Sequence, residues 1–267
     1  MKKIGYVVLW TSLALYFLGA PAAWAQMSLV VSPIRVEHQG AAGASETNVI
    51  EVRNEGSKAT RVKVYTEDWE MDPKGEVTYA RAGKGPYSCA PWIQLNPTDI
   101  RLEPGQTRQI RYTLTVPNVA RDGGYRAVIV FEGMPLAEAG PAQKRVAVHG
   151  RIGVVLYETV GRPEIKAQFK DFLVVPEKKG LAFKLTLVNQ GNVHFRVKKS
   201  WITLKNSQGA EVAKVEIPDI PVLPGATREL VFSKDLSLPK GAYLAEAVLD
   251  VGRRDFLGHK QSFTIGR

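Results

Sequence analysis

The segment NVIEVRNEG, Asn48 to Gly56, returns in the second half of the chain as FKLTLVNQG, Phe183 to Gly191. Two further landmarks follow each copy in the same order. LEPGQTR, Leu102 to Arg108, is matched by VLPGATR, Val222 to Arg228, and GGYRAVIVFEG, Gly123 to Gly133, by GAYLAEAVLDVG, Gly241 to Gly252. Three matched landmarks in one order confine the chain to two copies of a single structural plan.

The plan is built of strands. Val49, Glu51 and Arg53 alternate with Ile50 and Val52, Arg61, Lys63 and Tyr65 with Val62 and Val64, and Gln109, Arg111 and Thr113 with Ile110, Tyr112 and Leu114. Such a period of two marks half-buried strands, and helical periodicity is scarce. Turn signals separate the runs, among them Asp72-Pro73-Lys74-Gly75 and Asp122-Gly123-Gly124. Asn-x-Gly ends a strand in a tight turn, and Pro-Gly suits the centre of a turn before the next strand. The Gly-x-Tyr element places Tyr125 and Tyr243 where an immunoglobulin-like sandwich has its tyrosine corner; the alternative is a tyrosine that only packs, its hydroxyl in water. The expected fold is all-β, two immunoglobulin-like β-sandwich domains in tandem.

The first copy is the longer, because Trp69 to Trp92 inserts a hairpin-like stretch and a loop. Its last strand is expected within QKRVAVHGRIGVVLY, Gln143 to Tyr157, and Glu158 to Pro163 reads as the link. The expected domains are 26–160 and 161–267. Residues 1–25 read as a cleavable secretory signal: Lys2 and Lys3, then an uncharged apolar run, then the small-residue site Ala23-Trp24-Ala25. An uncleaved membrane anchor is the alternative.

Export leaves Cys89 as the one cysteine, so no intramolecular disulfide can form and packing must hold the fold. Set in PYSCAPW, Cys89 reads as a small buried hydrophobe. The formal charge of +10 falls to +8 without Lys2 and Lys3. The basic residues are dispersed, which argues with export against nucleic acid as a partner.

Chemistry is hard to find. His38, His149, His194 and His259 show no metal-ligand spacing, and no metal or other cofactor is expected. Glu67, Asp68, Glu70 and Asp72 lack a calcium-loop signature and read as solvated strand ends. No nucleophile elbow or phosphate-binding loop occurs, so neither an enzyme nor a small-molecule substrate is expected.

VVSPIRVEHQG, Val30 to Gly40, sets a proline and an arginine within a strand-like run. By itself this reads as an edge strand with Arg35 in water. Together with Asp68-Trp69, APWIQLNPTDIRLEPGQTRQIRYTL from Ala90 to Leu114, VIVFEGMP from Val128 to Pro135, and RIGVVLY from Arg151 to Tyr157, it resembles the periplasmic pilus-assembly chaperones, as a divergent member. The resemblance covers the mature chain in layout and domain one in sequence.

That resemblance implies a periplasmic protein that captures incomplete pilus-like subunits by lending them the last strand of domain one, and delivers them for assembly, with an outer-membrane usher as a possible further partner. The implied donor residues are Val146, Val148 and Ile152, which share one parity. It also implies that the subunit's terminal carboxylate is held between the domains by an arginine on the first strand, here Arg35, whose guanidinium fork suits a carboxylate. A lysine of the last strand is the family's second anchor; its place falls on Gly153, and Arg151, two residues earlier on the same face, is the substitute. The alternative to a chaperone is an exported structural or adhesive sandwich that binds a folded partner or a glycan.

Overall fold

The computed structural model describes residues 29–135 and 150–266. The expected signal, residues 1–25, lies outside them. The first half contains β1 (Leu29–Ser32), β2 (Arg35–Gly40), β3 (Ser45–Asn54), β4 (Thr60–Met71) and β5 (Val77–Arg81). A 3-10 turn at Ala90–Trp92 leads to β6 (Ile93–Asn96), β7 (Asp99–Leu102), β8 (Thr107–Thr115), β9 (Gly123–Pro135) and β10 (Gly150–Val160). The second half contains β11 (Ala167–Glu177), β12 (Gly180–Asn189), β13 (Phe195–Asn206) and β14 (Glu211–Ile217). It ends with β15 (Ile220–Val222), β16 (Thr227–Lys234), β17 (Gly241–Asp250) and β18 (Leu257–Ile265).

These strands make two sandwiches. In the first, the sheet β1-β3-β8-β6 faces β2-β10-β9-β4-β5, with β7 added to β4. In the second, β11-β12-β16 faces β14-β13-β17-β18, with β15 added to β13. Alternation drives this layering: Val62 and Val64 are buried while Arg61 and Lys63 between them are exposed. One core gathers Ile50, Ile110, Tyr112, Phe131 and Leu156; the other gathers Phe183, Leu185, Ile202, Leu204 and Leu249. The cores share no residue, and the chain is all-β, two immunoglobulin-like sandwiches in tandem.

The repeated landmarks are the same bonds made twice. Buried Asn54 donates to Lys58 O (2.8 Å) and Leu102 O (3.1 Å) and accepts from Gly56 N (2.9 Å). Buried Asn189 donates to Val193 O (2.8 Å) and Val222 O (3.1 Å) and accepts from Gly191 N (2.9 Å). Each asparagine thus ties its own turn to the strand that enters the Pro-Gly turn. In both of those turns glycine takes a left-handed φ, +73° at Gly105 and +69° at Gly225. Tyr125 and Tyr243 donate to the carbonyls four residues upstream, Arg121 O at 3.2 Å and Pro239 O at 2.8 Å, the tyrosine corner of each sandwich.

Pro33 separates two strands that belong to opposite sheets. β1 runs antiparallel to β3, whereas β2 runs parallel to β10. β10 continues through Glu158 and Thr159 to Val160, so these residues extend the strand further than the link read from the sequence.

The acidic group after Glu67 is not simply solvated. Asp68 is buried and accepts from Gly83 N (3.1 Å), Lys84 N (2.6 Å), Gly85 N (2.7 Å) and the Ser88 hydroxyl. Burial alone would raise its pKa; the Ser88 hydroxyl and the three amides together lower it below the ordinary carboxylate value. The inserted loop is therefore folded around one carboxylate. Glu70 pairs with the buried guanidinium of Arg126. Cys89 is fully buried, and burial pushes its thiol far up.

Candidate functional site

On β10, Ile152, Val154 and Leu156 belong to or pack against the first core, so Arg151, Gly153, Val155 and Tyr157 share the opposite face. β9 pairs with β10 along its whole length, from Gly150 to Val160. β2 pairs with it only from Val155 to Val160. The second edge of β10 from Gly150 to Val154 thus has no strand partner among the described residues. Such an edge presents unpaired backbone groups, a template for another strand.

The outward face of the same sheet meets the second sandwich. Trp69, Val128, Val130 and Tyr157 enclose Leu223, with Val155 and Ala226 packed beside them. Backbone bonds clasp the contact: Gly124 N donates to Asn192 O at 2.7 Å, and Glu229 N to Pro73 O at 2.6 Å. Arg228 Nη1 donates to the same Pro73 carbonyl at 2.9 Å. At the centre the Tyr157 ring stacks on His194, with centroids 3.8 Å apart and planes 19° from parallel.

Burial pushes the Tyr157 hydroxyl up to about 12. Burial likewise pushes His194 down to about 4; Glu37 opposes the shift, while Arg196, Arg35 and Lys198 add to it. His194 is therefore a neutral stacking ring at physiological pH.

Arg35 opens β2 on the face of Glu37, away from the core contact of Val36. Its Nε lies 3.2 Å from Glu37 Oε1, and its side chain is 39% exposed. It stands abreast of Val155. Arg151 shares that face but sits four residues back along β10, about 13 Å at strand spacing. It is engaged by Glu67, Nη2 to Oε2 at 2.6 Å, and lies over the Tyr65 ring. The two arginines are on one face but not side by side. At Gly153 between them, a Cβ would stand 2.7 Å from Val128 Cγ2, so the packing of Val128 excludes a longer side chain unless it moves. Of the expected donor residues, Ile152 packs against the first core, and Val146 and Val148 lie outside the described residues.

Tyr157, His194 and Leu223 escape a reading of the sequence, although one signal for Leu223 exists. It occupies the repeat position of Glu103, which is exposed on its own turn. A leucine where the sister copy has a glutamate marks the turn that docks.

Glu158, in contrast, faces inward beside His38, its parallel cross-strand neighbour. It is 2% exposed, and its Oε1 accepts no hydrogen bond among the described residues. Burial, with a smaller contribution from Glu46, raises its pKa from 4.5 to about 7. His38 is itself engaged, bonding Glu46 at 3.1 Å and the Tyr112 hydroxyl at 2.8 Å. Because the folded state holds this proton more tightly than the unfolded chain, stability is lost as pH rises from 4.5 through 7. Glu158→Gln is therefore expected to raise the stability of the first sandwich by about 2–3 kcal/mol at pH 8 and to leave it unchanged at pH 4. Urea unfolding followed by tryptophan fluorescence at both pH values checks this; equal gains at the two would remove the carboxylate's charge as the cause. His194 acts in the opposite sense, with stability lost as pH falls from 6.5 to about 4.

Among the described residues, no group of three or more His, Cys, Asp and Glu side chains is placed to hold a metal ion.

No family model and no curated protein matches the chain. Solved structures do. A chain of the CsuC–CsuE chaperone and tip-adhesion subunit complex from the archaic chaperone-usher Csu pili of Acinetobacter baumannii is 15% identical, covering 87% of this chain and 97% of its own, with a TM-score of 0.45. A chain of the Salmonella enterica SafA pilin complex with the SafB chaperone is 16% identical, covering 90% and 97%, with a TM-score of 0.45. The E. coli chaperone DraB is 16% identical, covering 90% and 98%, with a TM-score of 0.44.

Proposed function

We propose that this protein is a periplasmic chaperone that captures incomplete, pilus-like β-subunits along the open edge of β10 and delivers them for assembly, an outer-membrane usher being the receiving partner. In this reading the first sandwich, 26–160, presents the edge, and the second, 161–267, buttresses it. The observation that carries it is the one-sided pairing of β10 between Gly150 and Val154. Backbone groups there have no strand partner among the described residues, and in sequence the apolar parity of Ile152 continues back through Val148 and Val146. Arg35 stands where that edge ends, and its guanidinium suits a carboxylate. The reaction is binding and release, with no covalent step and no cofactor.

Co-expression with a subunit that lacks one strand is expected to yield a soluble one-to-one complex. Val146→Asp with Val148→Asp is expected to lower its yield at least tenfold while the melting temperature of the free protein stays unchanged. Each buried valine contributes about 1.5–3 kcal/mol by leaving water, and a carboxylate in its place must be desolvated. A complex that survives both substitutions would sink strand donation.

A further inference from the structure

Glu158 carries a carboxyl group into the first sandwich, where it is 2% exposed and its Oε1 has no hydrogen-bond donor among the described residues. Titratable side chains face it from every side but one. They are His38 of β2, Glu46 of β3, Tyr112 of β8, Tyr125, its cross-strand neighbour on β9, and Cys89 before the 3-10 turn. β1, the remaining neighbour, contributes only Leu29, Val30, Val31 and Ser32.

Among the described residues none of these supplies a positive charge. His38 spends both ring nitrogens on Glu46 and the Tyr112 hydroxyl, which a neutral ring satisfies by donating from Nδ1 and accepting at Nε2. Glu46 is an anion and opposes a second one. Burial pushes the Tyr112 hydroxyl up to about 12 and the Cys89 thiol far up, so both stay neutral. Arg126 of β9 lies on the other face of the sheet, held by Glu70. The Gly40 backbone favours the charged form, but burial outweighs it. A carboxylate in this place must keep its proton or reach water.

The surrounding strands decide how water can reach it. β9 is paired with the whole of β10 and has β4 on its far side, so it is locked in the sheet. β2 ends that sheet, is six residues long, and takes β10 as its one strand partner among the described residues, in the weaker parallel arrangement. It buries little: Arg35, Glu37 and Gln39 are exposed, and only Val36, His38 and Gly40 turn inward. Its backbone lies directly on the carboxyl, since a Cβ added at Gly40 would stand 3.3 Å from Glu158 Oε1.

We infer that β2 is a proton-dependent cover of β10: it closes over Val155 to Val160 while Glu158 carries its proton and detaches when that proton passes to solvent. The edge of β10 without a strand partner then grows from Gly150–Val154 to Gly150–Val160. Detachment stands on Glu158 and β2 alone; its consequence for a partner strand rests on the reading of β10 as a partner-binding edge. The sense follows from burial, which raises the Glu158 pKa from 4.5 to about 7. The closed form holds the proton more tightly than the open one, so closure is strongest at low pH and weakens as pH rises from 4.5 through 7.

Amide hydrogen exchange of the full mature chain at pH 6 and pH 8, corrected for the intrinsic rate, tests this. The protection of the β2 amides is expected to fall about tenfold over that interval, through an opening about tenfold or more commonly populated than the one that exposes β3. In Glu158→Gln the protection of β2 is expected to be the same at both pH values. A fall that persists in Glu158→Gln would assign the effect to another group, His38 foremost, and overturn the inference. In the unaltered chain, β2 and β3 exchanging in step at both pH values would show that the sandwich opens only as a whole, and would overturn it equally. Neither outcome touches the edge from Gly150 to Val154, which the subunit complex tests by itself.

Discussion

Asn189→Ala is expected to destabilise the second sandwich by about 3–5 kcal/mol, a large part of the 5–15 kcal/mol margin of an ordinary domain. The side chain is fully buried and makes three hydrogen bonds, two donated to carbonyls and one accepted from Gly191 N. Alanine removes all three and leaves Val193 O and Val222 O to find other donors within the interior. Each such loss costs about 1–3 kcal/mol when water cannot replace it. Equilibrium urea unfolding of the variant checks the size. The matching Asn54→Ala is expected to weaken the first sandwich by a similar amount, because its three bonds are the same. A change below about 1 kcal/mol in both would show that the turns hold themselves without the asparagines.

Leu223→Glu is expected to separate the two sandwiches while leaving each folded. The leucine is 4% exposed, enclosed by Trp69, Val128, Val130 and Tyr157. The substitution installs the residue that the sister turn carries in water at Glu103, so the turn itself tolerates it. The contact does not: it loses about 2 kcal/mol of apolar burial and gains a carboxylate that must shed its water. Arg126, which reaches over Trp69, is already held by Glu70 and the Trp69 carbonyl. Small-angle scattering is expected to show a larger radius of gyration, with the far-ultraviolet circular dichroism unchanged. Loss of the Tyr157–His194 stack should accompany it, visible as a His194 pKa rising from about 4 toward 6.5 in an NMR titration. An unaltered scattering profile and an unaltered His194 would show that the backbone clasps at Pro73 and Gly124 suffice without Leu223.

What proved legible in the sequence is what a few neighbouring residues decide. The asparagine of Asn-x-Gly bonds an amide two residues ahead, and each tyrosine corner bonds a carbonyl four residues back. Alternation assigns side chains to faces because the pleat of a strand has a period of two. These features yield the all-β class, the two copies and their cores before any coordinate is known. Arg35 was legible as an arginine out of place among apolar neighbours. Asp68 reads as solvated in the sequence because its partners, the amides of Gly83 to Gly85, come from a loop whose return depends on the β4–β5 hairpin.

Only the tertiary structure decided the relations between distant parts of the chain. That β2 joins β10 in parallel, and covers it only from Val155 onward, depends on where two strands far apart in sequence meet. Arg151 takes Glu67 as partner because β4, β9 and β10 lie side by side, a pairing that no spacing encodes. The pairing of Tyr157 with His194, and of Leu223 with Trp69, follows from the way one sandwich packs on the other. The sequence alone determined two immunoglobulin-like sandwiches, because strand, turn and corner are local events governed by side-chain period and backbone geometry. The one-sided pairing of β10 among the described residues and the ring stack between the two sandwiches were decided by packing, because burial and charge act through space and not along the chain.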